Sequence, residues 1–188
     1  MTFTLDHWDR PRATIANRYE GNDAGYALGG VLAAANVLRM TPWSLAELRQ
    51  KAALDFGCGT GRLTRALAAF LGHVDGYDPS VQCISVARVE TERADVPKVA
   101  ERLTWMVQPP DGPYDLVVCT CVLYHLTDDE QTEAFREITA RVAPGGCAVL
   151  QVQPDGCAKL LRDVWGAAVP DDIGKKNGLV VWRPPCKP

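Results

Sequence analysis

No uncharged apolar run in this chain approaches the ~20 residues that a membrane-spanning helix requires. The most apolar stretch, residues 26–40, is broken by Gly29, Gly30, Asn36 and Arg39. The N-terminal residues carry Asp6, Asp9, Arg10 and Pro11 and lack the apolar core of a secretory leader. Neither a signal peptide nor a membrane partner is expected. Basic charge is also scarce. Lys and Arg number 20 against 23 Asp and Glu, a formal charge of −3, and they are dispersed. That leaves no electrostatic footprint for a polyanion, so no nucleic-acid partner is expected. The 7 cysteines contain no C-x-x-C pair, and Cys119-x-Cys121 lacks the spacing of a zinc knuckle. Several lie in strand-like segments, which suits buried reduced thiols in a cytoplasmic protein without a metal site. What remains is an ordinary globular composition, 47% hydrophobic and 23% charged, over 188 residues. A chain of that length suits a single domain with a substantial core.

Against that background one run stands out: Leu54-Asp55-Phe56-Gly57-Cys58-Gly59-Thr60-Gly61. Apolar residues 52–54 lead into it, and residues 63–70 follow with helical apolar spacing. Strand, tight glycine turn and helix in that order form the local architecture of an α/β nucleotide-binding site. Three missing Cβ atoms let the backbone turn sharply and lie against a ligand. A dinucleotide fingerprint would need a further glycine where Arg62 stands. Asp55, two residues before the first glycine, would repel a pyrophosphate and suits a cationic ligand.

Asp55-x-Gly57-x-Gly59-x-Gly61 resembles the first motif of class I S-adenosylmethionine-dependent methyltransferases. The resemblance implies S-adenosylmethionine as cofactor, whose sulfonium and ammonium are cationic. It places the backbone of Gly57, Cys58 and Gly59 against the methionyl part and Asp55 opposite the ammonium. Asp78 follows Gly61 by 17 residues, at the end of an expected second strand over residues 73–77. There the family's acid holds the ribose hydroxyls, and Pro79 begins the next turn. Read from the residues alone, Asp78 is equally a turn or helix-capping acid.

The rest of the chain extends the pattern. Residues 1–50 read as a largely helical arm, with a helix over 26–40 and a capping box at Ser44–Glu47. Residues 51–153 form the cofactor-binding core, with a helix over 81–93. Leu103–Val107 looks strand-like, yet it would leave too few residues for a crossover to the next strand. A third strand over 96–100 is therefore preferred. It puts Glu101 where the family has an acid near the adenine, with Trp105 in the crossover, in the core or against the adenine. The fourth strand starts at Tyr114. Cys119 and Thr120 leave its carboxyl end, where ligands bind in open α/β sheets. By resemblance they lie beside the methyl-bearing end of the cofactor. A second capping box, Thr127–Glu130, opens a helix through Arg141. Pro144-Gly145-Gly146 then turns into a strand over 147–153. The aromatic-His-Leu order at Tyr124-His125-Leu126 resembles the small-molecule branch of the family. The resemblance covers roughly residues 50–153. Residues 154–188 show a helix over 155–165 and a strand over 178–183. The family usually ends in a two-stranded hairpin, so either residues 164–169 supply a short strand or the sheet is trimmed.

The expected fold is α/β, Rossmann-like and doubly wound, with a mostly parallel sheet of six to seven strands. The expected function is S-adenosylmethionine-dependent O- or N-methylation of a small molecule. His125 is the candidate base or substrate-orienting group, since imidazole titrates near neutral pH; its plainer role is to cap a turn. Tyr124 and Tyr19 are candidate substrate contacts, with packing or surface positions as the alternatives. A DNA amino-methyltransferase would show (Asn/Asp)-Pro-Pro-aromatic where this chain has Cys119-Thr120-Cys121-Val122. A cofactor-binding module without catalysis and a nucleic-acid or protein methyltransferase stay open as alternatives. The acceptor and the oligomeric state have no signature in the sequence.

Overall fold

The computed structural model describes residues 22–94, 96–153, 156–165 and 178–184. Tyr19 and most of the 164–169 segment lie outside the described residues. Six strands, β1 (Ala52–Phe56), β2 (His73–Tyr77), β3 (Leu103–Met106), β4 (Tyr114–Cys119), β5 (Val142–Val152) and β6 (Gly178–Trp182), follow the order β3-β2-β1-β4-β5-β6. The β1–β2, β2–β3 and β4–β5 pairs are parallel, and β6 runs antiparallel to β5. This is the expected Rossmann-like sheet at the lower strand count. Among the described residues, β6 is the one strand of the C-terminal hairpin. The helices are α1 (Asp23–Leu38), α2 (Leu45–Leu48), α3 (Arg62–Ala68), α4 (Val81–Arg93), α5 (Pro97–Ala100), α6 (Asp128–Ala140) and α7 (Ala158–Trp165). The chain divides into two compact units, Met1–Asp111 and Gly112–Pro188.

In the first unit, Ala53, Leu54, Val74, Leu67 and Ile84 are fully or almost fully buried and form the core. β1, β2 and α4 have the bounds expected from the sequence. The capping box at Ser44 and Glu47 is formed, with Ser44 N–H donating to Glu47 Oε2 at 2.8 Å. The helix after the glycine turn is shorter than its apolar spacing suggests, ending at Ala68. α1 contains no charged residue between Ala24 and Leu38. It comes close to the start of α3, where a Cβ on Gly30 would lie 2.7 Å from the Arg62 carbonyl oxygen.

The third strand is β3 at Leu103–Met106, not residues 96–100. Pro97 has no N–H and a fixed φ, which suits the first turn of a helix and not a paired strand. Residues 96–102 accordingly close helical bonds, with Ala100 N–H donating to Val96 O and Glu101 N–H to Pro97 O. Crossovers between parallel strands usually contain a helix. Residues 107–113 instead run without one, and 7 residues of extended chain reach about 23 Å.

Trp105 belongs to β3, beside Gly76 of β2. Its six-membered ring lies over both Gly76 and Gly61: a Cβ on Gly76 would meet the ring at 2.5 Å, and one on Gly61 would overlap it. Two glycines far apart in sequence thus make room for one indole.

In the second unit, β4 and β5 are buried along most of their length. The capping box of α6 is formed by Thr127 and Glu130. Pro144-Gly145-Gly146 lies inside β5, not before it. Tyr114 pairs with Val142 and Leu116 with Cys147, so the extra residues are accommodated on β5. Gly145 has φ +79°, and a Cβ on Gly146 would sit 2.5 Å from Asp115 O. α7 begins at Ala158, later than residue 155.

Adding a methyl at Gly76 should lower stability by about 1–3 kcal/mol through the clash with Trp105. Urea unfolding of Gly76→Ala in wild-type and Trp105→Ala backgrounds checks this. The cost should largely vanish in the second, whereas equal costs would contradict the steric account.

Candidate active site

The glycine turn after β1 is built as its sequence requires. Gly57, Gly59 and Gly61 have φ of +79°, +55° and +80°, the left-handed region where glycine avoids the Cβ penalty. Gly57 N–H and Cys58 N–H donate to Tyr77 O at 2.8 and 2.9 Å, tying the turn to the end of β2. The glycines then differ in what they face. A Cβ on Gly61 would strike Trp105, whereas a Cβ on Gly59 would meet nothing within 4 Å. Gly59 therefore leaves open space over the turn, and Gly61 serves packing. Burial pushes the Cys58 thiol well up, with Asp55 and Asp78 adding to the effect. The thiol stays protonated at neutral pH and is a poor nucleophile.

Asp78 carries the second anchor. Its Oδ2 accepts from Gly59 N–H at 2.8 Å, and its Oδ1 accepts from Ser80 N–H at 2.9 Å. The N-cap of α4 is Ser80, whose Oγ accepts from Cys83 N–H. So Asp78 acts as a turn acid and also grips the glycine loop, and Pro79 stands between these two capping groups.

Asp55 is 2% exposed, and its Oδ2 accepts a hydrogen bond from Thr64 Oγ1 at 2.6 Å. Burial pushes its carboxyl up to about 6; the Thr64 bond opposes this, and the nearby Asp78 charge reinforces it. A buried carboxylate this close to a second acid is electrostatically incomplete and favours a cation.

Several contributors had no motif to announce them. Thr64 is the hydrogen-bond partner of Asp55. The Tyr26 hydroxyl makes a very short hydrogen bond with Thr60 Oγ1, and the Arg62 guanidinium lies 5.6 Å from the Tyr26 ring centroid. Arg65 donates to Thr60 O at 2.9 Å. α1 and α3 thereby hold the loop from two sides. A tyrosine in the first helix and a threonine within the motif were visible as residues, but nothing in their spacing paired them.

Glu101 is not placed as expected. It is the C-cap of α5 and precedes β3, so it lies at the amino end of the strand. The residue beside Asp78 at the carboxyl end is Met106, whose carbonyl accepts from Asp78 N–H at 3.1 Å. Met106, Val107 and Gln108 occupy the position assigned to Glu101.

The segment after β4 belongs to the second unit. Cys119 is fully buried as the last residue of that strand, and Thr120 follows half-buried. Cys121 has φ +60° and is held by Gln151. The chain then makes a 3-10 turn over Leu123–His125. The Tyr124 and His125 rings lie 4.5 Å apart at 51°, Tyr124 half-buried and His125 exposed. A Cβ on Gly156 would sit 3.1 Å from Tyr124 Cβ. Gln131, buried in α6, donates through Nε2 to Leu126 O and Gly156 O at 2.9 and 2.7 Å and so fixes the turn that carries His125. Among the described residues no group of three or more His, Cys, Asp or Glu side chains is arranged to hold a metal ion. No helix among them is long and apolar enough to cross a membrane.

Residues 28–176 match the family model described as a methyltransferase domain. The chain belongs to this methyltransferase family. A ubiquinone biosynthesis O-methyltransferase of Paraburkholderia xenovorans is 34% identical over 106 residues, covering 54% of this chain and 44% of that protein. An uncharacterized methyltransferase of Anoxybacillus flavithermus is 30% identical over 128 residues, covering 68% of this chain and 56% of that protein. The matched region thus spans about half the length of these curated relatives. Among solved structures, the magnesium protoporphyrin IX methyltransferase of Synechocystis PCC 6803 with bound SAM superposes with a TM-score of 0.63 at 20% identity, covering 89% of this chain and 80% of that one. The DhpI–SAH complex superposes with a TM-score of 0.54 at 26% identity, covering 77% and 66%.

The raised Asp55 pKa sets a pH dependence for this methyltransferase domain. The folded protein holds an extra proton between about pH 4 and 6, so the Asp55 contribution to stability falls as pH rises through that window. Above it the penalty is complete, on the order of 3 kcal/mol. Asp55→Asn keeps an acceptor for Thr64 and cannot ionise. Its urea-unfolding stability at pH 7.5 should exceed wild type by about 1–3 kcal/mol, with the difference shrinking towards pH 4. A variant less stable than wild type at pH 7.5 would refute this.

Proposed function

We propose that the chain binds S-adenosylmethionine on the glycine turn of its first unit and methylates a small molecule at oxygen or nitrogen. The observation that carries this is the turn between two acids: Asp55 buried behind it, Asp78 gripping Gly59, and open space over Gly59. This suits a ligand with a cationic amino-acid portion and a diol. Asp55 answers the ammonium, the backbone of Gly57, Cys58 and Gly59 receives the methionyl part, and Asp78 with Pro79 receives the ribose. Met106–Gln108 replace Glu101 as the adenine-side residues. The family match runs through both units, which supports reading residues 1–188 as one methyltransferase domain.

When bound, S-adenosylmethionine supplies an electrophilic methyl group on a sulfonium. The protein's task is then orientation and exclusion of water. The acceptor lone pair forms the new bond to carbon, the carbon–sulfur bond breaks, and sulfur keeps the electron pair. The acceptor's proton leaves to water or to a base. In this reading Cys119 and Thr120 line the methyl end and Tyr124 contacts the acceptor. His125 is exposed, its ring tilted against that of Tyr124; we assign it the orientation of the acceptor or the removal of its proton. Tyr19 remains a candidate acceptor contact from the N-terminal arm. Small-molecule chemistry without membrane or nucleic-acid partners, in the cytoplasm, completes the proposal. It is supported by the dispersed basic charge and by the ubiquinone biosynthesis O-methyltransferases among the relatives.

Calorimetry tests the site. S-adenosylhomocysteine should bind wild type, and Asp78→Ala should lose binding while retaining a cooperative thermal transition; unchanged affinity would refute the assignment. A cation beside Asp55 lowers its pKa, so affinity should rise as pH increases through about 6, with proton release on binding. A pH-independent affinity between 5 and 7.5 would remove Asp55 from the site.

A further inference from the structure

Gln151 is the penultimate residue of β5, half-buried at the strand's carboxyl end. The register Cys119↔Leu150 places it beside the point where the chain leaves β4. Its Oε1 accepts from Cys121 N–H at 3.0 Å and from Cys121 Sγ at 3.2 Å. Cys121 is the one non-glycine residue with positive φ among the described residues, and this bond holds it there. A backbone N–H can only donate, so the amide oxygen must face Cys121 and the amide nitrogen must face away. That nitrogen carries two N–H donors, and neither meets an acceptor among the described residues. Nor is it sealed in the core: the one fully buried unpartnered polar atom among the described side chains is Gln131 Oε1. The two glutamines differ accordingly. Gln131 spends its nitrogen on Leu126 O and Gly156 O, whereas Gln151 spends only its oxygen.

We propose that Gln151 is a specificity-determining residue whose amide nitrogen donates to an acceptor oxygen of the methyl-accepting molecule. The anchor on Cys121 fixes the direction of the donors in advance, which reduces the entropy lost on binding. The site then prefers molecules that present a carboxylate, phenolate or carbonyl oxygen over cationic or purely apolar ones. This rests on the methyltransferase reading of the preceding section and adds the class of acceptor to it.

The test uses full-length protein labelled with ¹⁵N-glutamine and saturated with S-adenosylhomocysteine. Sodium benzoate is the probe and benzylamine the cationic control. The Gln151 side-chain amide pair is assigned by its loss in Gln151→Glu. Benzoate should shift that pair, leave the Gln131 pair in place, and outcompete benzylamine. Gln151→Glu keeps an acceptor for Cys121 but replaces the donors with an anion. It should weaken benzoate binding at least about tenfold while S-adenosylhomocysteine affinity stays within about twofold. If Gln151→Glu disturbs the turn, the same comparison is made with Cys121→Gly added, since glycine adopts this φ without an anchor. A Gln151 pair unmoved by benzoate, or equal benzoate affinity in the glutamate variant, overturns the proposal. Failure of S-adenosylhomocysteine to bind wild type would instead overturn the cofactor reading, and calorimetry reports that separately.

Discussion

One carboxylate ties the end of β2 to the turn that follows β1. Asp78 accepts from Gly59 on one oxygen and from Ser80 on the other, so the glycine loop and the start of α4 share an anchor. The paired donations of Gly57 and Cys58 to Tyr77 O add a second tie at the same strand end. A turn with three left-handed residues has an unusually large conformational space when unfolded, and isolated glycines would leave it loose. These bonds reduce it to one shape. The open space over Gly59, the burial of Asp55 and the placement of Thr60 against Tyr26 all presuppose that shape.

Electrostatics shows what the arrangement costs. A fold optimised only for stability would not bury Asp55 within reach of the Asp78 charge, even with Thr64 bonding it through both hydroxyl and backbone and the Arg62 charge nearby. The carboxyl is held up near 6 by desolvation, so its ionisation counts against folding. The neighbouring Cys58 shows the same field from another side, since its thiol is pushed towards the protonated form. The loop thus lies between two acids, with Arg62 and Arg65 at its far end and its thiol held protonated.

Much of this was legible in the sequence. β1, β2 and α4 were readable because apolar runs, turn residues and a serine cap coincide at their ends. Both capping boxes were readable because three-residue spacing is a local rule. The third strand was not, because the usual length of a parallel crossover points to residues 96–100 while Pro97 starts a helix there and the strand is Leu103–Met106. The position of Glu101 depends on that strand. Gln151 could not be read at all: its partner Cys121 lies 30 residues away, and only the register of β4 and β5 brings them together. Thr64 and Tyr26 failed for the same reason, since their roles depend on which helix face meets the loop. Local chemistry is written in local spacing, whereas the groups that position it are distributed by topology.

The indole of Trp105 gives the glycine motif a second meaning. Gly57 and Gly59 answer to the turn and to the ligand space, but Gly61 answers equally to an aromatic ring arriving from β3. The letters of one short signature therefore record separate histories of constraint. In a descendant with a small residue at 105, Gly76 would be released from the ring, whereas Gly61 would still be held to glycine by its left-handed φ. The indole thus constrains position 76 by space alone and position 61 twice over.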